Sequence, residues 1–131
     1  MRRVLMAVVA VSATACLDNV SGPDVVAGVP FQLKPGEIAT IPDSARLRFD
    51  AVRADSRCPI DAICITAGDA TIAVTLLRSS GQVAHELHTM PPQSQFSYSS
   101  YVVKLTELQP YPRSGRQSKP EDYTATFVVE H

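Results

Sequence analysis

Three cysteines are the residues of this 131-residue chain whose spacing points most directly to chemistry. The first, Cys16, follows two arginines at positions 2–3, an unbroken apolar run over residues 4–11 and small residues at 13–15. This order is typical of a bacterial lipoprotein signal, in which the chain is exported, cut before the cysteine and acylated on it. We therefore expect Cys16 to carry a palmitate-type lipid that holds the protein to a membrane of the cell envelope.

Secretion without lipid and a cytoplasmic location are the alternatives to lipidation. Ala13 and Ala15 also suit ordinary signal peptidase, but Cys16 follows them directly and is otherwise an unpaired third thiol, which favours lipidation. The apolar run is too short to cross a bilayer of about 30 Å. Leu17 follows the cysteine and Asp18 comes one place later, so in a host with two membranes we expect the outer one, with the domain facing the periplasm or the exterior.

The other two cysteines, Cys58 and Cys64, are close together in the segment DSRCPIDAIC. In an oxidising compartment we expect them to form a disulfide that closes a small ring, which Pro59 stiffens further. A redox or metal role is the alternative, but the spacing is not that of a thioredoxin-type motif. By chain entropy such a ring contributes only about 2 kcal/mol, so it shapes its loop more than it holds the domain.

Two histidines and a methionine, His85, His88 and Met90, invite a metal interpretation, with the thioether as a soft ligand suited to copper. On a strand, His85 and His88 point to opposite faces, while His88 and Met90 share one. The sequence HELH also lacks the second histidine of the zinc motif HExxH. We interpret the histidines as solvated strand residues and assign no metal ligand, with a small metal-binding protein as the alternative.

Four aspartates crowd the region around the cysteine ring, namely Asp50, Asp55, Asp61 and Asp69. Their spacing matches no EF-hand-like calcium loop, and arginines lie among them, so we expect ion pairs and turn caps. One of these arginines, Arg57, is also a candidate binding residue. A basic side chain at the tip of a rigid, exposed disulfide loop resembles the way some protease inhibitors present a basic residue.

Aromatic and basic side chains in two polar loops, residues 91–100 and 111–120, form the other candidate binding surface. These side chains are expected to be exposed for recognition, and they are Tyr98, Tyr111, Arg113 and Arg116. Tyr123 opens the last apolar segment, so we expect its ring to be packed and its hydroxyl to bond to a neighbouring loop. The ligand of this surface, a protein or a small molecule, does not follow from the sequence.

Catalytic patterns are missing from the sequence. No serine lies in GxSxG, and the six glycines are spread too widely for a phosphate-binding loop, so we expect neither an enzyme nor a cofactor. The predicted signal contains two of the twelve basic residues, which leaves ten against thirteen acidic residues and a net charge of −3. With no basic stripe or tail, we expect neither nucleic acid as a partner nor a surface that binds anionic membranes strongly.

Apolar and polar residues alternate in seven short segments with turn signals about every ten residues. The alternation is clearest in residues 46–52 and 70–77, and in residues 82–89 it places Val83 and Leu87 inward. Each segment has one apolar face to bury, which predicts a single antiparallel β-sandwich of about seven strands and immunoglobulin-like size, with a small β-barrel as the alternative. Gly68 is expected to supply a left-handed turn.

The predicted organisation has three parts. Residues 1–15 are the signal, residues 16–28 are the lipidated cysteine and a flexible, turn-rich tether, and residues 29–131 are the sandwich domain. One domain of this size can bury one core.

The run DSRCPIDAICITAGDA, residues 55–70, resembles a signature of uncharacterised bacterial exported proteins and lipoproteins. There, DSRCP is followed about five residues after its cysteine by a second cysteine, then by an aromatic residue, an alanine and a glycine. A looser likeness covers the C-terminal part, through Leu105, residues 110–112 and residues 122–123. Thr66 stands here where the signature has an aromatic residue. The resemblance implies export, a disulfide and a β-rich fold, and it carries no established activity.

Location and composition together predict a membrane-anchored, non-catalytic envelope lipoprotein that acts as a binding or accessory module. A small envelope protein that handles metal or redox chemistry is the alternative. It would use His85, His88 and Met90, or the cysteine pair Cys58 and Cys64.

Overall fold

The computed structural model describes residues 24–131. The expected signal, the lipidation site Cys16 and the first part of the expected tether lie outside the described residues. Eight strands follow in chain order, β1 (Phe31–Leu33), β2 (Ile38–Ile41), β3 (Ala45–Asp55), β4 (Ala70–Arg78), β5 (Gly81–His88), β6 (Gln95–Tyr98), β7 (Tyr101–Gln109) and β8 (Thr124–Glu130). A 3₁₀ turn, Pro120–Asp122, precedes β8.

The strands form two antiparallel four-stranded sheets, which confirms the predicted sandwich. One sheet has the order β2-β3-β4-β5 and the other β1-β8-β7-β6. Over residues 24–131 the sheets do not join into a closed barrel, so the barrel alternative is wrong. No helix in that part of the chain is long and apolar enough to span a membrane.

The core between the sheets follows from the alternation in the sequence. The rings of Phe49 and Phe127 meet edge to face with centroids 6.3 Å apart, and Phe31 stacks on Phe127 at 5.8 Å. Leu87 is buried as expected, but Val83 is 55 % exposed. Val83 lies in the first half of β5, whose residues are all exposed because β5 is the edge strand of its sheet.

The strand that the sequence did not predict is β6, which lies within the expected polar loop of residues 91–100. It pairs with the first residues of β7, from Gln95 opposite Lys104 to Tyr98 opposite Tyr101. Its residues, QFSY, lie between the polar, turn-rich residues 91–94 and 99–100, so the composition of the segment predicts a loop. The expected loop is therefore divided between a turn before β6 and a turn after it.

The described chain begins at the end of the sandwich where β3 starts. Asp24 forms a bridge with Thr40, the Val25 amide donates to the Thr40 carbonyl at 2.8 Å, and the Gly28 amide donates to the Val129 carbonyl at 2.7 Å. Val25 also packs against the core. Residues 24–28 thus belong to the domain, and only residues 16–23 remain for the expected tether. We call this end the amino-terminal end.

The opposite end of the sandwich carries three loops, residues 56–69, 89–94 and 110–123, and we call it the loop end. The eleven residues of β3 run from one end to the other. At about 3.3 Å per residue, the two ends lie about 35 Å apart. The cysteine loop therefore lies far from the point where the chain enters the domain.

Candidate functional site

Arg57, directly before the first cysteine, is buried beneath the loop end and is only 9 % exposed. Its Nε and Nη2 atoms donate to the two carboxylate oxygens of Asp55, each at 2.8 Å. Its Nη1 donates to the carbonyl of Leu108 at 2.6 Å, and Nη2 also donates to the carbonyl of Pro110 at 2.8 Å. The guanidinium therefore binds the start of the cysteine loop to the end of β7.

The Leu108 carbonyl lies in the part of β7 that β6 does not pair with, and the Pro110 carbonyl follows directly after the strand. β6 pairs only with residues 101–104 of β7. Beyond that point the guanidinium supplies hydrogen bonds that a neighbouring strand would otherwise give, and unpaired strand edges are prone to pair with other chains. The expectation that Arg57 is an exposed binding or inhibitory side chain is wrong, because its donors are directed inward.

Asp55 is held by a second buried partner, Tyr123, whose hydroxyl donates to Asp55 Oδ2 at 3.0 Å. Burial acts to raise the pKa of the Asp55 carboxyl, but the hydrogen bonds and charge of Arg57, with the Tyr123 hydroxyl, lower that pKa below its usual value of 3.8. Burial and the neighbouring Asp55 raise the pKa of Tyr123. Tyr123 is packed and hydrogen-bonded at the base of the cysteine loop, in agreement with the sequence.

The disulfide between Cys58 and Cys64 is present and closes the predicted ring. The ring is joined to the 110–123 loop by two hydrogen bonds: the Ile60 amide donates to the Pro112 carbonyl at 2.9 Å, and the Ser114 amide donates to Asp61 Oδ1 at 2.8 Å. Hydrogen bonding by the Ser114 amide is the main cause that lowers the pKa of Asp61. The two loops therefore form one connected surface.

Removal of the disulfide is expected to loosen this surface without unfolding the domain. The double variant Cys58→Ala/Cys64→Ala should lower the free energy of unfolding by about 2 kcal/mol, because the ring it opens is short. Urea unfolding followed by far-UV circular dichroism measures this loss. Reduction of the wild-type protein is the matched comparison and should give the same shift. A loss that approaches the whole stability of the domain would contradict the assignment of the ring to local shaping.

Two isoleucines on the cysteine loop, Ile63 and Ile65, are the most exposed large apolar side chains of the described chain. Ile63 and Ile65 are fully exposed and Ile60 is 63 % exposed. All residues from 61 to 67 are exposed, and residues 62–67, AICITA, contain no charge. Sequence reasoning missed this group, because isoleucine between two cysteines is equally compatible with a buried position. We call Ile60, Ile63 and Ile65 the isoleucine tip.

Three cavities surround the 110–123 loop, with volumes of about 300, 310 and 270 Å³. The first lies between β7 and the cysteine loop, the second lies beside the end of β3, and the third lies within the 110–123 loop itself. Tyr111 lines the first and third cavities, and Arg116 lines the second and third. The loop end is thus concave as well as apolar, as small-molecule sites are.

Three of the candidate binding residues lie together at the loop end. Tyr111 is 44 % exposed and its ring lies 4.9 Å from the guanidinium carbon of Arg57. Arg113 and Arg116 are exposed in the same loop, bridged through their backbones. Within residues 24–131 neither arginine has a carboxylate within 4.0 Å. The three side chains are therefore exposed in one loop, and their role in binding stays a prediction.

Tyr98 does not belong to that surface. It is the last residue of β6, is 5 % exposed, and donates its hydroxyl to the Pro42 carbonyl at 2.8 Å, near the amino-terminal end. Its ring stacks on Tyr101, and burial raises its pKa to about 12. The expectation that Tyr98 is an exposed recognition residue is wrong, because the unrecognised strand β6 turns it into the core.

The structure separates the residues of the metal interpretation. His85 stacks on Phe96 with ring centroids 3.9 Å apart, while His88 lies on the other face of β5 with Nδ1 2.5 Å from Asp69 Oδ2. Burial lowers the pKa of His85. Met90 is 45 % exposed, and its amide donates to Asp69 Oδ1 at 3.1 Å. Across residues 24–131 no three histidine, cysteine or acidic side chains are grouped as metal ligands.

The aspartates around the cysteine ring are likewise apart, each with its own partner. Asp50 accepts hydrogen bonds from Arg48 and from Thr75. Asp55 binds Arg57, as described above, and Asp61 caps the 110–123 loop. Asp69 accepts from Thr89 Oγ1 at 2.8 Å. These contacts are the ion pairs and turn caps that the sequence predicts.

Asp69 joins the cysteine loop to the turn after β5, and this contact gives the fold a dependence on acid. Burial acts to raise the pKa of Asp69, but hydrogen bonds from His88, Thr89 and the Met90 amide lower that pKa below 3.8. A carboxyl whose pKa is lower in the folded than in the unfolded state stabilises the fold at pH values above its unfolded pKa. This contribution is lost as the pH falls from about 3.8 through the folded value.

We therefore expect Asp69→Asn to reduce the slope of unfolding free energy against pH below about pH 4, because asparagine does not titrate there. Urea unfolding at a series of acid pH values measures the slope, and values above pH 5 provide the baseline for any loss that is independent of pH. Some slope should remain, because Asp43, Asp55 and Asp61 also have lowered pKa values. Equal slopes for the two proteins would show that Asp69 is not linked to folding.

Gly68 has a different role from the expected left-handed turn. Its φ angle is not positive, so that expectation is wrong. A Cβ atom at this position would instead lie 1.6 Å from the Ser56 carbonyl oxygen and 2.9 Å from the Arg57 Cα. Glycine is needed here because two backbone segments are in direct contact. This contact holds the two ends of the cysteine loop together next to Arg57.

No protein family, no curated protein and no solved structure matches the chain.

Proposed function

We propose that this protein is an exported, lipid-anchored and non-catalytic module of the cell envelope, whose loop end is its binding surface. The single observation that carries the proposal is the connected surface of the cysteine loop and the 110–123 loop. It presents apolar and basic side chains on a backbone held by Arg57 and by the disulfide. Surface loops that a rigid scaffold positions are common binding sites.

The position of the surface supports this proposal. The chain enters the domain at the amino-terminal end, where Asp24 bridges to Thr40. An anchor at Cys16 would thus be joined to the end of the sandwich that lies about 35 Å from the binding surface. The same anchoring and export are implied by the resemblance of residues 55–70 to bacterial exported proteins and lipoproteins.

Acylation of Cys16 tests the location. The full chain, made in an exporting bacterium that is fed an alkyne-labelled palmitate, should become labelled, and Cys16→Ala should abolish the label. The pair Cys58→Ala/Cys64→Ala is the matched control and should keep the label, because it removes cysteines that the proposal assigns to the disulfide. Mass spectrometry should find Cys16 as the acylated first residue. An unlabelled chain that starts at Met1, recovered from the cytosol with free thiols, would refute the proposal.

A further inference from the structure

We propose that the isoleucine tip inserts into the surface of the lipid bilayer that carries the anchor, so that the sandwich lies along the membrane instead of standing away from it. This inference rests on the proposed function, since it assigns the partner of the same loop end. It is argued from the apolar tip, from the side chains that border it, and from the place where the chain enters the domain.

The tip consists of apolar residues without charge, whose transfer from water to lipid is favourable. Ile63 and Ile65 are fully exposed, and residues 62–67 between and around them carry no charge. The disulfide, the Arg57 contacts and the hydrogen bond from the Ile60 amide to the Pro112 carbonyl hold the loop in the position in which the tip is exposed. The largest exposed apolar patch of a monomeric protein typically covers about 300–600 Å² and is often functional.

The size of the tip favours a bilayer over a protein partner. Three isoleucines offer roughly 200–350 Å² of apolar surface when fully buried. A stable protein interface takes about 800 Å² from each partner, so the tip by itself is too small for one. Insertion into the surface of a bilayer requires no minimum buried area. It becomes stable when a second attachment to the same membrane is present.

The side chains that border the tip are those found at the boundary between lipid and water. Tyr111 is partly exposed beside the cysteine loop, and tyrosine is enriched at this boundary. Arg113 and Arg116 are exposed in the adjoining loop and suit the phosphates of anionic lipids. The nearest acid on the ring, Asp61, is bonded to the Ser114 amide of that loop and does not interrupt the apolar run.

The chain entry point allows both attachments to reach one bilayer. From Cys16 to Asp24 there are eight peptide steps, which extend to at most about 28 Å. The two packed sheets are only about 10 Å apart, so a sandwich lying on its side keeps both of its ends near the membrane. Because the anchor makes insertion intramolecular, a weakly binding tip is sufficient.

The test uses a tryptophan as a reporter, since the chain has no tryptophan of its own. The mature chain, residues 16–131 with an amino-terminal histidine tag in place of the signal, is attached to vesicles of phosphatidylcholine and phosphatidylglycerol that contain a nickel-chelating lipid. In the Ile63→Trp variant we expect a blue shift of the emission and strong quenching by lipids brominated on their acyl chains. Ser80→Trp, in the polar turn at the amino-terminal end, is the matched control. It lies near the same bilayer but outside the apolar tip, so brominated acyl chains should quench it much less than the Ile63→Trp indole.

Two further variants test whether the fluorescence signal comes from insertion of the tip. In the Ile63→Trp background, Ile60→Ser and Ile65→Ser should each shift the equilibrium of the tip from lipid to water by about tenfold. The histidine tag supplies the attachment, so the result does not depend on acylation of Cys16, which is scored separately. The proposal is overturned if the indole in the Ile63→Trp variant stays in water on these vesicles, or becomes shielded only when envelope proteins are present. It is also overturned if the protein clusters the vesicles, because the tip would then contact a second bilayer.

Discussion

The variant Arg57→Met should lose about 3–5 kcal/mol of unfolding free energy, because it leaves the Asp55 carboxylate buried without its positive partner. The side chains of Arg57 and Asp55 are only 8 % and 11 % exposed, so water replaces little of the lost interaction. The carbonyls of Leu108 and Pro110 lose their donors as well. A domain of ordinary stability has only about 5–15 kcal/mol, so the variant should be severely destabilised.

Urea unfolding under oxidising conditions, followed by circular dichroism, measures this effect. Arg48→Met is the matched control, since the Arg48–Asp50 pair has side chains 36 % and 23 % exposed. Its removal should cost less than about 1 kcal/mol. Arg57→Lys keeps the charge but lacks the planar fork of donors, so it should recover only a small part of the loss. Equal stability of Arg57→Met and wild type would show that the guanidinium does not hold the loop end together.

Among the described glycines, Gly68 is the one whose replacement by alanine should destabilise the domain most. The new Cβ would lie 1.6 Å from the Ser56 carbonyl oxygen and 2.4 Å from its carbon, and both are backbone atoms that cannot move away alone. We expect the ends of β3 and β4 that this contact holds together to separate. The free energy of unfolding should fall by about 3 kcal/mol or more, which is the upper end of the range for overpacked positions.

Gly115→Ala separates this clash from the general cost of replacing a glycine. Gly115 has a φ of +73° and nothing within 4 Å of the position of a Cβ, so alanine there meets backbone strain but no clash. That strain costs about 1–2 kcal/mol. If Gly68→Ala does not fold well enough for unfolding curves, the soluble yields of the two variants still rank them. A Gly68→Ala protein as stable as Gly115→Ala would contradict the close contact.

The two expected effects have a common origin at the base of the cysteine loop. The glycine contact brings the Ser56–Arg57 backbone against residue 68, and from there the guanidinium reaches the part of β7 that β6 does not pair with. The exposed part of the loop, including Ile63 and Ile65, is thus built on a buried and well-connected base. A rigid base reduces the entropy that an exposed loop loses on binding, whether the partner is a protein or a membrane.

The sequence was sufficient for the fold class and for the disulfide. Alternation of apolar residues is a local property with a period of two, so residues such as Leu47 and Phe49 show on their own which side of a strand is buried. Cys58 and Cys64 lie close enough in sequence for the ring to be predicted without the fold. The same local reasoning failed for β6, because its four residues lie between polar, turn-rich residues whose composition predicts a loop.

Only the tertiary structure decided what each loop side chain does. Arg57 and Leu108 are 51 residues apart, and Tyr123 and Asp55 are 68 apart, so their contacts depend on which strand ends meet at the loop end. That arrangement buried Arg57 and left the isoleucine tip in water, while the pairing of β6 with β7 near the opposite end turned Tyr98 into the core. The physical reason is that burial in a strand follows from the pattern of its own residues, whereas burial in a loop depends on distant segments that pack against it.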